Sequence, residues 1–589
     1  MQLQAQHVLI LGLGASGLAM ARWCALAGAD VTVADTRQNP PQLQTLRAEW
    51  PQVRFVAGPF AASLVQGTSV RAVFRSPGLA PEVVAPVVQA AHAMGLWQGG
   101  ELSLFAAGLA ELKSRWGYSP QLLAITGTNG KTTVTSLTGQ LVARAGKRVK
   151  VAGNIGPTLL DTLSQAMAQA QTEVERQATQ ALLDTPQACK GASHGGALET
   201  QTAQTPTPQG DADAQTTRDN CDEAESDAPQ LADQGDTLLM PLQAPAPVVL
   251  TPMARALPEV WVLELSSFQL DSSSDFEPTA ATVLNLSQDH LDWHTSMADY
   301  AAAKAKIFGA QALMVLNRED PQVMAMRPAP VRVKLQKPLE RDCLTFGGDM
   351  PKRHGDFGIE VVNGMAWLVR ALEADETRRR RKEEAQEVHI QRLIPADALR
   401  IRGRHNAVNA LAALALACSA GCALGPMLYG LREYQGEPHR VQALAIVSEV
   451  EYFDDSKGTN VGATVAALHG LGAERQVVVI LGGDGKGQDF SPLLEPVSRF
   501  VRGVVLIGRD GPLIAQVLAA SGVPMSQASD MADAVAKATA LAQSGDAVLM
   551  SPACASFDMF DSYVHRAAVF AQAVTELAQA AGLVVEGHS

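Results

Sequence analysis

Short apolar runs that stop at a glycine-rich or polar turn recur along this chain, most of them followed by a stretch with helical spacing. HVLILG (7–12) leads through LGASG into LAMARWCALAG and then ADVTVADTR, a strand–turn–helix–strand series that reads as a βαβ unit. AVFRSPGLA (72–80) looks like another strand ending in a turn, and LLAIT (122–126) ends at GTNGKT before a helix-compatible stretch. VWVLELSSFQL (260–270) is a short apolar run with a carboxylate, Glu264, at its end. Further on, VVVILGGDGKG (477–487), VRGVVLIGRDG (501–511) and DAVLMSPACASFD (546–558) repeat the pattern. Strands of this kind belong to open parallel sheets, whose ligands gather at the strand C-termini. The expectation is three α/β domains in series: an N-terminal Rossmann-like domain (1–115), a central P-loop ATPase-like domain (116–435) and a C-terminal Rossmann-like open parallel sheet (436–589).

Two segments break the pattern. Residues 165–248 are rich in Gln, Thr, Ala, Asp and Pro and show no sustained apolar periodicity, so they are expected to be a disordered insertion in the central domain. The run ETRRRRKEEAQE (376–387) is expected to be a solvated helix or loop.

Composition narrows the function. The 589 residues exceed one hydrophobic core, and 47% hydrophobic with 18% charged residues is ordinary globular usage. A net charge of −13 argues against a nucleic-acid partner, while leaving room for small anions in a local basic pocket. The seven cysteines (24, 189, 221, 343, 418, 422, 554) are scattered and form no C-x-x-C pair, so neither a disulfide framework nor a zinc site is indicated. The N-terminus lacks the cationic region of a signal peptide, and no apolar run reaches the roughly 18–20 residues that span a bilayer. A cytoplasmic protein without membrane insertion, and a monomer, is the expectation.

Candidate chemistry starts at two phosphate-binding turns. Gly12, Gly14 and Gly17 have G-x-G-x-x-G spacing, and Asp35 ends the next strand near the acidic position that takes a ribose hydroxyl in dinucleotide folds. Gly127, Thr128, Asn129, Gly130, Lys131, Thr132 and Thr133 form a P-loop: loop amides and a helix N-terminus for phosphates, Lys131 for charge, Thr132 for Mg²⁺. The loop is short, because the position five residues before Gly130 is Ile125 rather than glycine. From the first turn alone an NAD-dependent dehydrogenase stays open, though it gives the P-loop no purpose. A non-catalytic ATP-binding switch also stays open, though it leaves the C-terminal motifs unexplained.

GTNGKT (127–132), GNIG (153–156), LELSSFQL (263–270), NLSQDHLDWH (285–294), AAAKAKIF (301–308), GRHNAVNALAA (403–413), PHR (438–440) and DDSKGTN (454–460) occur in that order. Together they resemble the Mur ligases, the ATP-dependent amide-forming enzymes of peptidoglycan precursor synthesis, whose P-loop has this short form. GLGASG with ADTR, and GGDGK with SPACASFD, are most similar to the members that add D-glutamate to UDP-N-acetylmuramoyl-L-alanine. The Gly-Met-Ser sequence typical of the alanine-adding members is absent. Folylpolyglutamate-type ligases lack the N-terminal nucleotide-sugar domain.

The resemblance implies a site and a mechanism. ATP phosphorylates a carboxylate and an amine attacks the acyl phosphate, so cations must hold two anions together. Lys131 and the loop amides would hold phosphates, with Thr132 and Glu264 on one Mg²⁺. His290 would help hold a second, assisted by Lys304 as a CO₂-derived carbamate. Asn406 and Asn409, three apart on a predicted helix, would lie on the adenine side. A hinge near Gly436 would bring His439, Arg440, Asp455 and Lys457 onto ATP, with Arg440 and Lys457 facing phosphates and Asp455 the ribose. Ser16 and the glycine-turn amides would meet the diphosphate of the UDP-sugar. Asp35, Thr36 and Arg37 would meet uracil, and Ser76, Asn154 and His290 would lie along the sugar and peptide portion. Thr459, Lys486, Ser556, Phe557 and Tyr563 would receive D-glutamate, although relatives more often have Leu and Phe at the last two positions. No general base for the amine is evident.

Overall fold

The computed structural model describes residues 3–184, 250–273, 275–290, 293–331, 338, 340–373, 388–473 and 475–583. Its strands fall into three successive α/β domains, in line with the reading above.

The first domain has strands β1 (His7–Leu11), β2 (Asp30–Asp35), β3 (Arg54–Ala57), β4 (Val70–Arg75) and β5 (Trp97–Gly99), in parallel order β3-β2-β1-β4-β5. The order reverses between β1 and β4, which opens a crevice at the C-terminal end of β1. The turn there requires glycine. A Cβ on Gly17 would lie 2.0 Å from the Gly12 carbonyl oxygen, and Gly12 itself has φ +87°.

The second domain has strands β6 (Gln121–Thr126), β7 (Val149–Gly153), β8 (Val260–Glu264), β9 (Ala280–Val283), β10 (Leu313–Asn317) and β11 (Cys343–Phe346). All are parallel, in order β11-β10-β9-β6-β8-β7. Register positions the chemistry: Ile125 pairs Glu264, Gly153 pairs Glu264, and Thr126 pairs Val283. The start of the P-loop, Glu264 and Asn154 therefore emerge side by side at one sheet edge. Behind them the P-loop helix Lys131–Arg144 packs on the helix Arg404–Ser419, whose buried positions are nearly all Ala and Leu. Such small side chains let the two helix axes approach closely, which fixes the P-loop helix from behind.

An antiparallel sheet of β12 (Phe357–Val362), β13 (Met365–Glu373) and β14 (Val388–Pro395) follows. It was not anticipated, although Asn363-Gly364 between FGIEVV and MAWLVRALE is a strong hairpin signal; both residues have positive φ. The third domain has β15 (Gln442–Val447), β16 (Val450–Asp454), β17 (Val477–Gly482), β18 (Val501–Ile507), β19 (Met525–Gln527) and β20 (Ala547–Met550). Their order is β15-β16-β20-β17-β18-β19, and β15 runs antiparallel to β16, so this sheet is parallel only from β16 onward.

One expectation is corrected. Residues 165–184, assigned to a disordered insertion, belong to the helix Leu159–Asp184, in which Leu159, Leu163, Ala166 and Ala170 are buried. These positions follow helical spacing, but alanines are too small to stand out in a hydrophobic pattern. The remainder of that segment, 185–248, and the charge run 376–387 lie outside the described residues. Among the described residues no helix is long and apolar enough to cross a membrane.

Candidate functional site

The P-loop closes on itself and on its neighbours. Gly127 and Gly130 have φ +154° and +81°, and a Cβ on Gly130 would sit 2.8 Å from Asn409 Oδ1. Glycine is needed there for both backbone angle and room. Lys131 Nζ donates to the Gly127 and Thr128 carbonyls (2.9 and 2.7 Å). Thr128 Oγ1 accepts from the Ser287 amide (3.0 Å) and meets the Tyr300 hydroxyl (3.2 Å). The Asn129 amide donates to Asn285 Oδ1 (2.8 Å), and Asn285 Nδ2 returns to the Asn129 carbonyl (3.1 Å). Thr133 is buried in the first turn of the following helix.

Beside the loop, Glu264 is 1% exposed. Asn154 Nδ2 donates to its Oε1 (2.8 Å), while Oε2 is buried without a hydrogen-bond partner among the described residues. A buried carboxylate oxygen left bare is costly unless a cation meets it. Together with the Thr132 hydroxyl on the adjacent helix, it is a donor set of the hard-oxygen kind that suits Mg²⁺. Thr132 Oγ1 accepts from Arg440 Nη2 (2.9 Å), which brings the third domain onto the P-loop.

Lys304 is 2% exposed and donates from Nζ to Thr126 Oγ1 (3.2 Å) and the Gly127 carbonyl (2.9 Å). Burial, reinforced by Lys131, pulls its ammonium well below the ordinary lysine range. Burial also lowers Lys131, opposed by Glu264 and assisted by Arg440 and Lys457. Lys131, Arg440 and Lys457 thus share one electrostatic neighbourhood with Glu264 and the Lys304 amine, as a polyphosphate and a carboxylate would require.

His290 has φ +55° and its ring lies 4.8 Å from Phe268. Burial lowers its pKa; Asp289 opposes this, and Lys131, Lys304 and Lys486 add to it. His290 and Asn154 therefore both border the ATP-side cluster.

The remaining third-domain residues divide into two groups. Asp455 Oδ2 accepts from Ser551 Oγ (2.6 Å), His439 Nδ1 pairs with Asp454 Oδ2 (2.7 Å), and Lys457 Nζ lies 5.4 Å from the Tyr563 ring. Tyr563, expected with the acceptor, thus stands against Lys457 and His439. Thr459 is half-buried next to this turn. Lys486 is exposed on the GGDGK turn with φ +49°, Ser556 is buried, and Phe557 is 70% exposed.

Asp455 carries a pH signature. Burial pushes its carboxyl up to about 7 against the Ser551 bond. Between the unfolded value near ~3.8 and about 7 the native state holds a proton that the unfolded chain lacks, so stability falls as pH rises through that window and levels off above it. Asp455→Asn should therefore stabilise the free protein, by about 2 kcal/mol more at pH 8 than at pH 5 in chemical denaturation. A gain equal at both pH values would show that Asp455 is ordinary in the native state.

In the first domain Ser16 and Ser76 flank the glycine turn; Ser76 donates its amide to the Leu11 carbonyl (2.8 Å). Asp35 is 2% exposed and fully engaged, accepting from the Leu13 amide (2.8 Å) and from Arg37 Nε and Nη2 (2.9 and 2.8 Å). Burial works to raise its pKa, but these bonds outweigh it and hold the carboxyl at about 2. Asp35 shapes the turn, while Thr36 and Arg37 are the exposed members of that trio.

Asn409 Nδ2 donates to Asn406 Oδ1 (3.2 Å), and Asn406 Nδ2 to the Arg402 carbonyl (2.8 Å). Asn409 and Asn285, both at the P-loop, line a cavity of about 780 Å³ together with Asn317, His405, His469 and Phe500. Burial holds His405 down at about 4, so its imidazole is neutral.

Sequence reasoning passed over Asn285, Asp289, Tyr300, Asn460 and Arg566. The first four sit inside or beside quoted motifs, but nothing in spacing alone separates them from their neighbours. Arg566 is wholly buried and donates to the Cys554 and Ser456 carbonyls (3.1 and 2.7 Å), tying the SPACASFD turn to the DDSK turn. It had no signal beyond being an arginine in a helix.

The chain matches the N-terminal domain of MurD-like Mur ligases over residues 6–98. It matches the Mur ligase middle domain over 125–192 and 237–417, and the Mur ligase glutamate ligase domain over 439–554. The chain belongs to the Mur ligase family. Among its relatives, the UDP-N-acetylmuramoylalanine–D-glutamate ligase of Albidiferax ferrireducens is 60% identical over 585 residues, covering 99% of both chains. Proteins of the same name from Polaromonas sp. strain JS666 and Burkholderia pseudomallei are 51% and 46% identical, each covering 98% or more of both chains. The Mur ligase middle-domain match skips 193–236, so those residues add to what the family shares. Replacing 193–236 with about ten Gly/Ser residues should leave expression and turnover within about twofold, because the Mur ligase middle-domain match runs on either side without them. A large loss of either would show that the segment packs or gates. The same replacement begun at 165 should fail, since it removes the buried Ala166 and Ala170.

Proposed function

We propose that this Mur ligase adds D-glutamate to UDP-N-acetylmuramoyl-L-alanine, consuming ATP through an acyl phosphate and releasing ADP and phosphate. The observation that carries the proposal is the bare, buried Glu264 carboxylate beside a P-loop, with Lys131, Arg440 and Lys457 in its electrostatic neighbourhood. The 60% identity to a D-glutamate-adding relative along the whole chain supports the choice of substrates. A dehydrogenase would need none of these cations.

In this reading the P-loop amides and Lys131 hold the β- and γ-phosphates, and Arg440 and Lys457 neutralise them from the third domain. Asn406, Asn409 and the adjoining cavity take the adenine, and Asp455 the ribose. Thr132 and Glu264 would hold one Mg²⁺; His290 and a carbamylated Lys304 would hold another. Bound metal ions would supply positive charge that offsets the repulsion between phosphate and carboxylate. Lys304 suits carbamylation because burial favours the neutral amine, whose lone pair attacks CO₂ with loss of a proton. A carbamate keeps one N–H for the Gly127 carbonyl while its oxygens can accept from Thr126. Ser16, Ser76, Thr36 and Arg37 orient the nucleotide sugar, with Asp35 bracing the turn. Lys486, Thr459 and Ser556 orient the acceptor, with Phe557 at its rim. Contact between the third domain and the P-loop excludes water from the acyl phosphate.

The test is incubation with ATP, Mg²⁺, UDP-N-acetylmuramoyl-L-alanine and one amino acid at a time, following phosphate release and the new amide. D-Glutamate alone should drive both. Equal turnover with L-glutamate, or with L-alanine on UDP-N-acetylmuramate, would overturn the assignment.

A further inference from the structure

Asn460 is the first-turn cap of the helix Val461–Gly472 in the third domain, yet its side chain serves two domains at once. It is 6% exposed. Its Oδ1 accepts from the Ala463 amide (2.9 Å), which satisfies one of the open donors at the helix start. Its Nδ2 donates to Asn129 Oδ1 on the P-loop (3.1 Å) and reaches Asp289 Oδ2 (3.4 Å), the neighbour of His290.

The packing around this amide is close. A Cβ on Gly462 would meet Ser287 Oγ at 3.0 Å and Asn129 Nδ2 at 3.1 Å, so the helix start rests directly on the P-loop. Ser287 Oγ is buried there without a partner among the described residues. On the other side the Val461 amide donates to Gln488 Oε1 (3.1 Å), which joins the same helix start to the GGDGKG turn that carries Lys486. Asn129 in turn is fixed by two bonds to Asn285.

We infer that Asn460 is a positioning residue that couples the state of the P-loop and the His290 loop to the seating of the third domain, and so to protection of the acyl phosphate. The inference rests on the ligase reading above. Asn129 sits at the tip of the loop that grips the phosphates, so its side chain moves with them. One amide donor spanning Asn129 and Asp289 forms both bonds only when those loops and the third domain are in register. With that donor lost, ATP still meets the P-loop and D-glutamate still meets Lys486, but the two halves stay in poorer register and water reaches the intermediate.

Two variants isolate the donor from the cap. Asn460→Ser and Asn460→Asp both keep a good N-cap, and neither can donate to Asn129 as the amide does. Each is expected to lower kcat by about 10-fold or more, to leave the KM for ATP and for the nucleotide sugar within about threefold, and to release two or more phosphates per amide formed. Wild-type kcat and one-to-one stoichiometry in either variant would overturn the inference. So would a fall in kcat matched by an equal rise in the KM for ATP, which would make Asn460 a nucleotide ligand. If both variants lose thermal stability, Gly462→Ala decides, since it keeps the cap and the donor while its Cβ, 3.0 Å from Ser287 Oγ and 3.1 Å from Asn129 Nδ2, shifts the Asn129 side chain that meets the donor. Excess phosphate release in Gly462→Ala supports the coupling, and one-to-one release overturns it. Failure of the wild-type protein to form the amide would instead count against the ligase reading.

Discussion

Replacing Lys304 by alanine is expected to lower turnover by about 10³-fold, and a small carboxylic acid such as acetate to restore part of it. The expectation follows from where the amine sits. Lys304 is almost completely buried, bonded to Thr126 Oγ1 and the Gly127 carbonyl at the root of the P-loop, with Lys131 on the same carbonyl. Two lysines converging on one carbonyl is an expensive arrangement for two cations. It becomes favourable once one of them is an anion. Carbamylation would do that. Lys304→Arg should fail as badly as alanine, because a guanidinium stays cationic and cannot take up CO₂. An acid that diffuses into the alanine-sized space supplies the missing anion without the tether, so rescue should saturate with acid concentration. Full activity in Lys304→Ala would end the carbamate idea. A loss that no acid repairs, with Tm unchanged, would leave Lys304 as a cation whose bonds to Thr126 and Gly127 shape the loop.

The residues at strand C-termini were legible in the sequence because an apolar run ending in glycine or a carboxylate is a local pattern. Lys131, Thr132 and Glu264 are found that way, and the register of β6 with β8 brings them together. Arg440, Asp455 and Lys457 became visible only through resemblance, since their approach to the P-loop depends on how two domains meet. Asn460 shows the limit most clearly. It lies in the quoted DDSKGTN, yet its bond to Asn129 spans 331 positions of chain, and no local pattern encodes that. The helix through residues 165–184 was missed for a different reason: its buried face narrows to alanine, which carries little hydrophobic signal. Asp35 is assigned to uracil through the resemblance, and its bonds to Arg37 and the Leu13 amide, which hold the turn, become visible only in the turn geometry.

Lys486→Ala is expected to raise the KM for D-glutamate by about 30-fold or more, as befits removal of one charged partner from a desolvated carboxylate, worth roughly 2–5 kcal/mol. Glutamate brings two carboxylates to a site already dense with phosphate, so fixed donors are needed on the far side of the attacking amine. The GGDGK turn offers a mobile cation, and buried Ser556 offers a hydroxyl on the neighbouring SPACASFD turn. The two turns are physically joined: Asp484 and Ala555 exchange backbone hydrogen bonds (2.9 and 2.8 Å). Lys486 is exposed, held at positive φ with its amide on Asp484 Oδ1 (3.0 Å), and its charge is felt at His290. The proposal sets it at the acceptor from the third domain while the P-loop takes ATP from the second. Its removal should leave the KM for ATP and for the nucleotide sugar within a few-fold, because the proposal gives the phosphates to the P-loop, Arg440 and Lys457 and the nucleotide sugar to the first domain. Steady-state kinetics with each substrate varied in turn, on wild type and Lys486→Ala, separates the alternatives. A collapse of ATP affinity with D-glutamate affinity intact would make Lys486 a phosphate ligand, and the acceptor pocket would then have to be sought elsewhere than between the GGDGK and SPACASFD turns.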